Sequence, residues 1–271
     1  MITNRCVIIG SGSSLRPDFQ VPIKELPIWE ILKNEPTIGI NWTYHWLVPT
    51  IHMFGDYQFY HTQYDGIKDF PLLLTTEDGY YKREGSKPIP ENLFFLKRCK
   101  GKKYIKAGDK QAGVHPYYWG KDSWKQGWYS NQLTSLLALN FAINGLGAKE
   151  IFLLGMDACE INGHTHFYDD KKIGKYKYEN QTYYGVGKDP RGFYRTNNYN
   201  KVDELNNFWY KPFAQEWNNG VRIYNVSLKS VIEHFIPISY QTFYSMLRNN
   251  RYDWNQEEIR KQIKKLIREK L

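Results

Sequence analysis

The densest group of residues able to do chemistry runs from Asp157 to Asp170, where Asn162, His164, His166, Tyr168, Asp169 and Asp170 follow the acid that closes the run FLLGMD. Two histidines at alternate positions of an extended segment turn both rings to one side, as a metal ion would require, but no third strong ligand stands at a convincing spacing. The same pair suits proton transfer. His166 or His164 could act as general acid or base with Asp157 orienting the ring, or the histidines could simply hydrogen-bond the base of a loop. No metal is required.

A second group is the turn Gly10-Ser11-Gly12-Ser13-Ser14 after the apolar run CVII. Glycines let backbone approach a ligand closely, and Ser13 or Ser14 could cap the following helix while donating to a phosphate. The spacing is neither that of a dinucleotide fingerprint nor that of a phosphate loop, and no lysine follows to reach a distal phosphate. Asn41 and Asp56, in GINWTYHW and HMFGDYQFYH, close the next two strand-like runs. They could hold a ribose or a base edge, or start turns, where Asn and Asp are at home. Asn131, Gln132, Thr134 and Ser135 form a polar first turn of an otherwise apolar helix and could meet an anion there. Between residues 171 and 201, eight Lys or Arg stand against two acids with tyrosines interleaved. Lys188, Arg191 and Arg195 could close over an anionic substrate. The same residues could be a solvated loop or an RNA contact, but no nucleic-acid motif accompanies them, so nucleic acid is not the expected partner.

Positioning these residues needs strands that end at one edge. Strand-like runs lie at Cys6 to Ile9, Thr37 to Asn41, Ile51 to Phe54, Leu72 to Thr75, Asn92 to Leu96, Glu150 to Leu154 and Val221 to Val226. Helical patterns occupy Ile23 to Lys33, Asn131 to Asn144 and Val202 to Asn218. Alternating strands and helices predict an α/β fold with a mostly parallel sheet and helices on both faces. Ligands of such sheets bind at the carboxyl ends of the strands, so Gly10 to Ser14 and Gly155 to Asp157 should open onto one crevice. Residues 1–255 read as one domain, with 99–130 as an irregular excursion and 158–201 as a polar insertion long enough to be a lid. Residues 256–271 form a basic amphipathic helix with Ile259, Ile263, Leu266, Ile267 and Leu271 on one side. It suits docking on the domain, self-association into a homo-oligomer, or reversible attachment to an anionic membrane.

The 271 residues carry a formal net charge of +9, 41% hydrophobic and 24% charged residues, which describes a globular chain inclined toward anionic partners. The 22 Tyr and 9 Trp exceed what a core needs and predict a surface that stacks on sugars, bases or a partner, although an AT-rich genome gives the same bias. Cys6, Cys99 and Cys159 are too few and too scattered for a disulfide framework or a zinc site. With no secretory signal and no membrane-length apolar run, the expectation is a cytoplasmic protein, with the inner face of the membrane as a further location.

Taken together, VIIGSGSSL, the GIN around Asn41, and TSLLALNFAINGLGAKEIFLLGMD followed by Asn162 and Gly163 resemble the bacterial lipooligosaccharide sialyltransferases. They resemble equally the related superfamily of motility accessory factors and archaeal hydroxymethylpterin pyrophosphokinases, whose phage-encoded members share a segment like Thr165, His166 and Asp169. The similarity is a spaced set of motifs over about a third of the chain. It implies a Rossmann-like transferase domain of the GT-A type with a lid over the donor site. In the sialyltransferases the glycine turn and the asparagine after the second strand contact a cytidine monophosphate sugar, roles that would fall on Gly10, Ser11, Gly12 and Asn41. Asp56 stands where the family has another donor-contacting asparagine, and Gln132 replaces an arginine before the Thr134-Ser135 pair. Family lid tyrosines that stabilise the departing phosphate correspond to Cys159 and His166. The family's catalytic histidine comes late in the lid, whereas here no histidine follows His166 until His234.

The expectation is therefore a glycosyltransferase using a nucleotide-activated sugar, such as a nonulosonic acid on a cytidine carrier, with a glycan or glycolipid acceptor. His166, Asp157 and His164 would serve the reacting centre. One rival is a pterin-type pyrophosphokinase using ATP and magnesium, with Asp56, Asp157 and Asp169 converging on the cation. Another is a non-catalytic nucleotide-binding protein of phage origin.

Overall fold

A computed structural model describes residues 2–15, 28–45, 47–55, 57–76, 87–97, 123–128, 134–157, 176–178, 181–183, 210–211, 214, 220–249 and 254–270. Eight strands form one sheet: β1 (Arg5–Ile9), β2 (Thr37–Ile40), β3 (Ile51–Met53), β4 (Leu73–Thr76), β5 (Leu93–Leu96), β6 (Glu150–Leu154), β9 (Arg222–Asn225) and β10 (Ile236–Pro237). Every neighbouring pair is parallel, in the order β10-β9-β6-β1-β2-β3-β4-β5. Two further strands, β7 (Tyr176–Tyr178) and β8 (Gln181–Tyr183), make an antiparallel pair inside the polar insertion.

The central strands read as continuous apolar runs because both faces of a parallel sheet are covered. Alternation along β1 sends Cys6 and Ile8 to one face and Val7 and Ile9 to the other. The first face packs against α4 (Thr134–Asn140) through Leu136 and Leu139, and against the carboxyl-terminal helix α6 (Gln256–Lys270) through Ile259, Ile263 and Ile267. The second packs against α1 (Ile28–Leu32) through Leu32 and against α5 (Tyr240–Asn249) through Phe243 and Leu247. Among the described residues, further α-helices are α2 (Tyr57–Ile67) and the single turn α3 (Ser123–Gln126). Among the described residues, no helix is long and apolar enough to cross a membrane.

All seven expected strands are present within a residue or so of their expected ends. The two-residue β10, α2 and α5 are additions. The helix expected from Asn131 is α-helical from Thr134 to Asn140 and then widens into π-helical turns over Phe141–Gly145, with Leu146 N donating to Phe141 O at 3.0 Å. Gly147, at φ 80, ends it. The helix expected at Ile23 to Lys33 is described only as α1. The one expected at Val202 to Asn218 and the excursion at 99–130 lie largely outside the described residues.

An ion cluster holds the amino edge of the sheet. Arg5, buried at the start of β1, donates through Nε to Glu150 at 2.8 Å and through Nη1 to Glu35 at 3.5 Å, and Arg222 reaches Glu150 at 3.4 Å. Burial pushes the Glu35 carboxyl up to about 7 despite the opposing pull of Arg5.

Candidate functional site

From β1 the chain moves outward through β2 to β5 on one side, then returns to place β6 on the other side of β1. Strand order therefore reverses between β1 and β6. Ligands of open parallel sheets bind at the carboxyl ends of the strands, next to such a reversal. Here the loops at that edge are the glycine turn and Gly155 to Asp157.

The two loops touch along their length. Gly10 N–H donates to Leu154 O at 2.7 Å, Gly12 N–H to Gly155 O at 2.8 Å, and Ser14 N–H to the Asp157 carboxylate Oδ2 at 2.7 Å. A Cβ at Gly10 would stand 2.5 Å from Gly155 O, and one at Gly12 would stand 2.4 Å from Asp157 Oδ2. Gly155 has φ +60 and carries Leu15 against it, so it too must be glycine. Close approach of the two turns is thus what the glycines permit. Leu15 N–H donates to Gly12 O at 3.2 Å and closes the 3-10 turn Ser13–Leu15.

Asp157 is buried, 1% exposed, and its backbone carbonyl accepts from Val231 N–H at 3.1 Å and the Ser230 hydroxyl at 3.2 Å. Asn225 at the end of β9 donates to Ser230 Oγ at 2.9 Å, and Ser230 donates to Met156 O at 2.9 Å. From α5, the Tyr240 hydroxyl donates to Ser14 O at 3.0 Å. Burial drives the Tyr240 phenol far above its usual range, and the neighbouring Asp157 carboxylate adds to the shift. These carboxyl-terminal residues, Asn225, Ser230 and Tyr240, carried no signal beyond an asparagine closing a strand, the pattern already seen at Asn41.

Along the same edge, Asn41 follows β2 with φ 50, a left-handed conformation that Asn tolerates better than most residues. Its side-chain Oδ1 is buried and has no hydrogen-bond partner among the described residues; the same holds for Ser14 Oγ. Gly39 pairs with Ile9, so Asn41 stands one strand from the glycine turn. After β3, a Cβ at Gly55 would lie 2.9 Å from Thr134 Oγ1, which sets the first residue of α4 against that strand end. Ser135 Oγ shares a hydrogen bond with the buried Tyr210 hydroxyl at 3.1 Å, and burial pushes that phenol up to about 12.

The structure thus brings Gly10, Gly12, Ser14 and Asp157 into direct contact, runs Ser11 and the backbone of Ser13 through the same turn, and sets Asn41 and Thr134 on the same sheet edge. Asp56, Asn131, Gln132, His164, His166, Lys188, Arg191 and Arg195 lie outside the described residues, as does the side chain of Ser13. Among the described residues there is no group of three or more His, Cys, Asp or Glu placed to hold a metal ion. Comparison of the chain with protein-family models, with curated proteins and with solved structures returns no match.

Proposed function

We propose that the carboxyl edge of the sheet at β1 and β6 binds a nucleotide-activated sugar and that the protein is a glycosyltransferase of GT-A type. The observation that carries the reading is the reversal of strand order at a glycine turn, with Asn41 and Thr134 on the adjoining strand ends. Gly10, Gly12, Ser14 and Leu15 already spend their N–H groups inside the protein. Donor phosphate would then meet the amides of Ser11 and Ser13, and Asn41 would read the nucleoside. Asp157 would be a positioning residue: its carboxylate holds the turn through Ser14 N–H. Residues 158–201 would close as a lid, with Lys188, Arg191 and Arg195 on the departing phosphate. In this scheme an acceptor hydroxyl attacks the anomeric carbon, the bond to phosphate breaks, and His166 or His164 takes the hydroxyl proton. Rate gain comes from positioning and from stabilising the leaving phosphate.

The test is thermal melting with CMP, UDP, GDP and ATP, each with and without magnesium. A ligand that binds only the folded state raises its stability by RT ln(1 + [L]/Kd), about 2.7 kcal/mol at a hundredfold excess over Kd. CMP or its sugar conjugates should stabilise without magnesium. Stabilisation by ATP with magnesium alone would overturn the reading in favour of pyrophosphoryl transfer.

A further inference from the structure

An amphipathic helix can lie in a membrane interface only if its apolar side is free to enter the bilayer. In α6 most of that side is already used: Ile259, Ile263 and Ile267 are buried in the core formed with β1, β2, β3 and α4, Leu266 is half-buried, and Leu271 lies outside the described residues. The helix is also fixed at its start. Asn255 Oδ1 caps the amides of Glu257 and Glu258 at 3.0 and 3.1 Å, Gln256 bonds Thr50 and the Glu35 carbonyl, and Arg260 donates to Pro49 O at 3.2 Å.

Beyond the exposed Glu257 and Glu258 of the first turn, the outer side of α6 is mostly cationic. Lys261, Lys264, Lys265 and Arg268 fall at i, i+3, i+4 and i+7, so the helix gathers them on one side along about 10 Å of its length. With Glu269 they line a shallow concavity of about 410 Å3. Glu269 answers Lys265 at 3.9 Å, and Arg268 lies over the Phe94 ring at 5.9 Å. Lys261 and Lys264 have no ion pair among the described residues.

We infer that this face holds the protein on an anionic phospholipid surface by charge alone, with no insertion of apolar side chains. Three of the four cations are lysines, compact point charges that attract a diffuse negative plane without fixed geometry, whereas built phosphate recognition favours arginine forks. The helix stripe itself contributes no aromatic residue, and the half-buried Phe94 ring beside it is already covered by Arg268, which separates the face from a single-stranded nucleic-acid platform. The surface shares no residue with the proposed nucleotide site, so its test stands apart from nucleotide binding.

The full chain is sedimented with vesicles of phosphatidylcholine alone and with vesicles in which about one-third of the lipid is phosphatidylglycerol, a content that gives a negative surface potential. Binding should appear only on the anionic vesicles at about 0.1 M salt and vanish at about 1 M, as the screening length falls from about 10 Å to about 3 Å. The variant K261Q/K264Q/K265Q/R268Q, with its melting temperature checked, should lose affinity by about a hundredfold or more. If loss of Arg268 from Phe94 perturbs folding, K261Q/K264Q/K265Q carries the same expectation with a smaller loss. Binding that is equal on phosphatidylcholine, unchanged by these variants, or absent throughout overturns the inference. So does binding of duplex DNA at about 0.1 M salt with no binding of anionic vesicles, which would assign the face to nucleic acid.

Discussion

At the scale of single residues, contact distances decide which side chains the site tolerates. A methyl group at Gly12 would sit 2.4 Å from the Asp157 carboxylate, so Gly12→Ala must push Asp157 off Ser14 N–H or open the two turns. The expected cost is about 1–3 kcal/mol, the range for overpacking a tight site, together with loss of any nucleotide-induced rise in melting temperature. An alanine variant that melts and binds like the natural protein would show that the turns do not need their contact. His52 in β3 is the opposite case. Its ring is buried among aromatic side chains, 5.9 Å from Phe59 and 5.3 Å from Phe70, and neither nitrogen has a partner among the described residues. Burial lowers its pKa to about 3, so it stays neutral in the folded state while the unfolded chain takes a proton near the ordinary value of 6.5. Stability is therefore full above about pH 6.5 and falls as pH drops toward about 3, by up to about 1.4 kcal/mol per pH unit. His52→Leu should match or exceed the natural protein at pH 7, since an unpaired buried polar group costs about 1–3 kcal/mol. Its advantage should widen on acidification, and urea melts at several pH values would read the gap; a constant gap would refute the neutral buried ring.

At the scale of elements, α5 works as a brace for the glycine turn. Its apolar residues Tyr240, Phe243, Tyr244 and Leu247 follow helical spacing, but the tyrosines and Thr242 have strand-like propensity, and the pattern is short. Tyr240→Phe keeps the ring and removes one hydrogen bond to Ser14 O. It should cost about 0.5–1.5 kcal/mol and weaken nucleotide stabilisation more than a stability-matched core variant on the far face does. Equal effects on binding would reduce Tyr240 to a packing residue. Glycines 10, 12 and 155 were visible in sequence as a turn paired with a strand end; their partner contacts were not, because residues more than 140 positions apart meet only through the β1–β6 ladder. The π-helical ending of α4 was equally hidden. Its apolar run reads as uninterrupted helix, and a change from α-helical to wider turns leaves no compositional mark.

At the scale of the whole molecule, α6 belongs to the same core as the sheet, although its sequence sets it apart as a basic segment. Ile263 is wholly buried there, and Ile263→Ala should cost about 2–5 kcal/mol through lost burial and a cavity. Because the residue shares its core with β1, β2 and β3, melting should stay a single transition at lower temperature; an independent early transition would mean that α6 is a separable appendage. By itself the sequence determined the fold class, the seven principal strands and the edge at which Gly10 to Ser14 and Asp157 meet, because periodicity, turn residues and the carboxyl-edge rule are local or topological. Only the tertiary structure decided that the carboxylate of Asp157 is turned inward onto Ser14 N–H, that Tyr240 and Ser230 hold that arrangement, and that Ile259, Ile263 and Ile267 of α6 are consumed by the core. Each of these depends on which distant surfaces meet, and burial and hydrogen-bond partners are properties of that meeting.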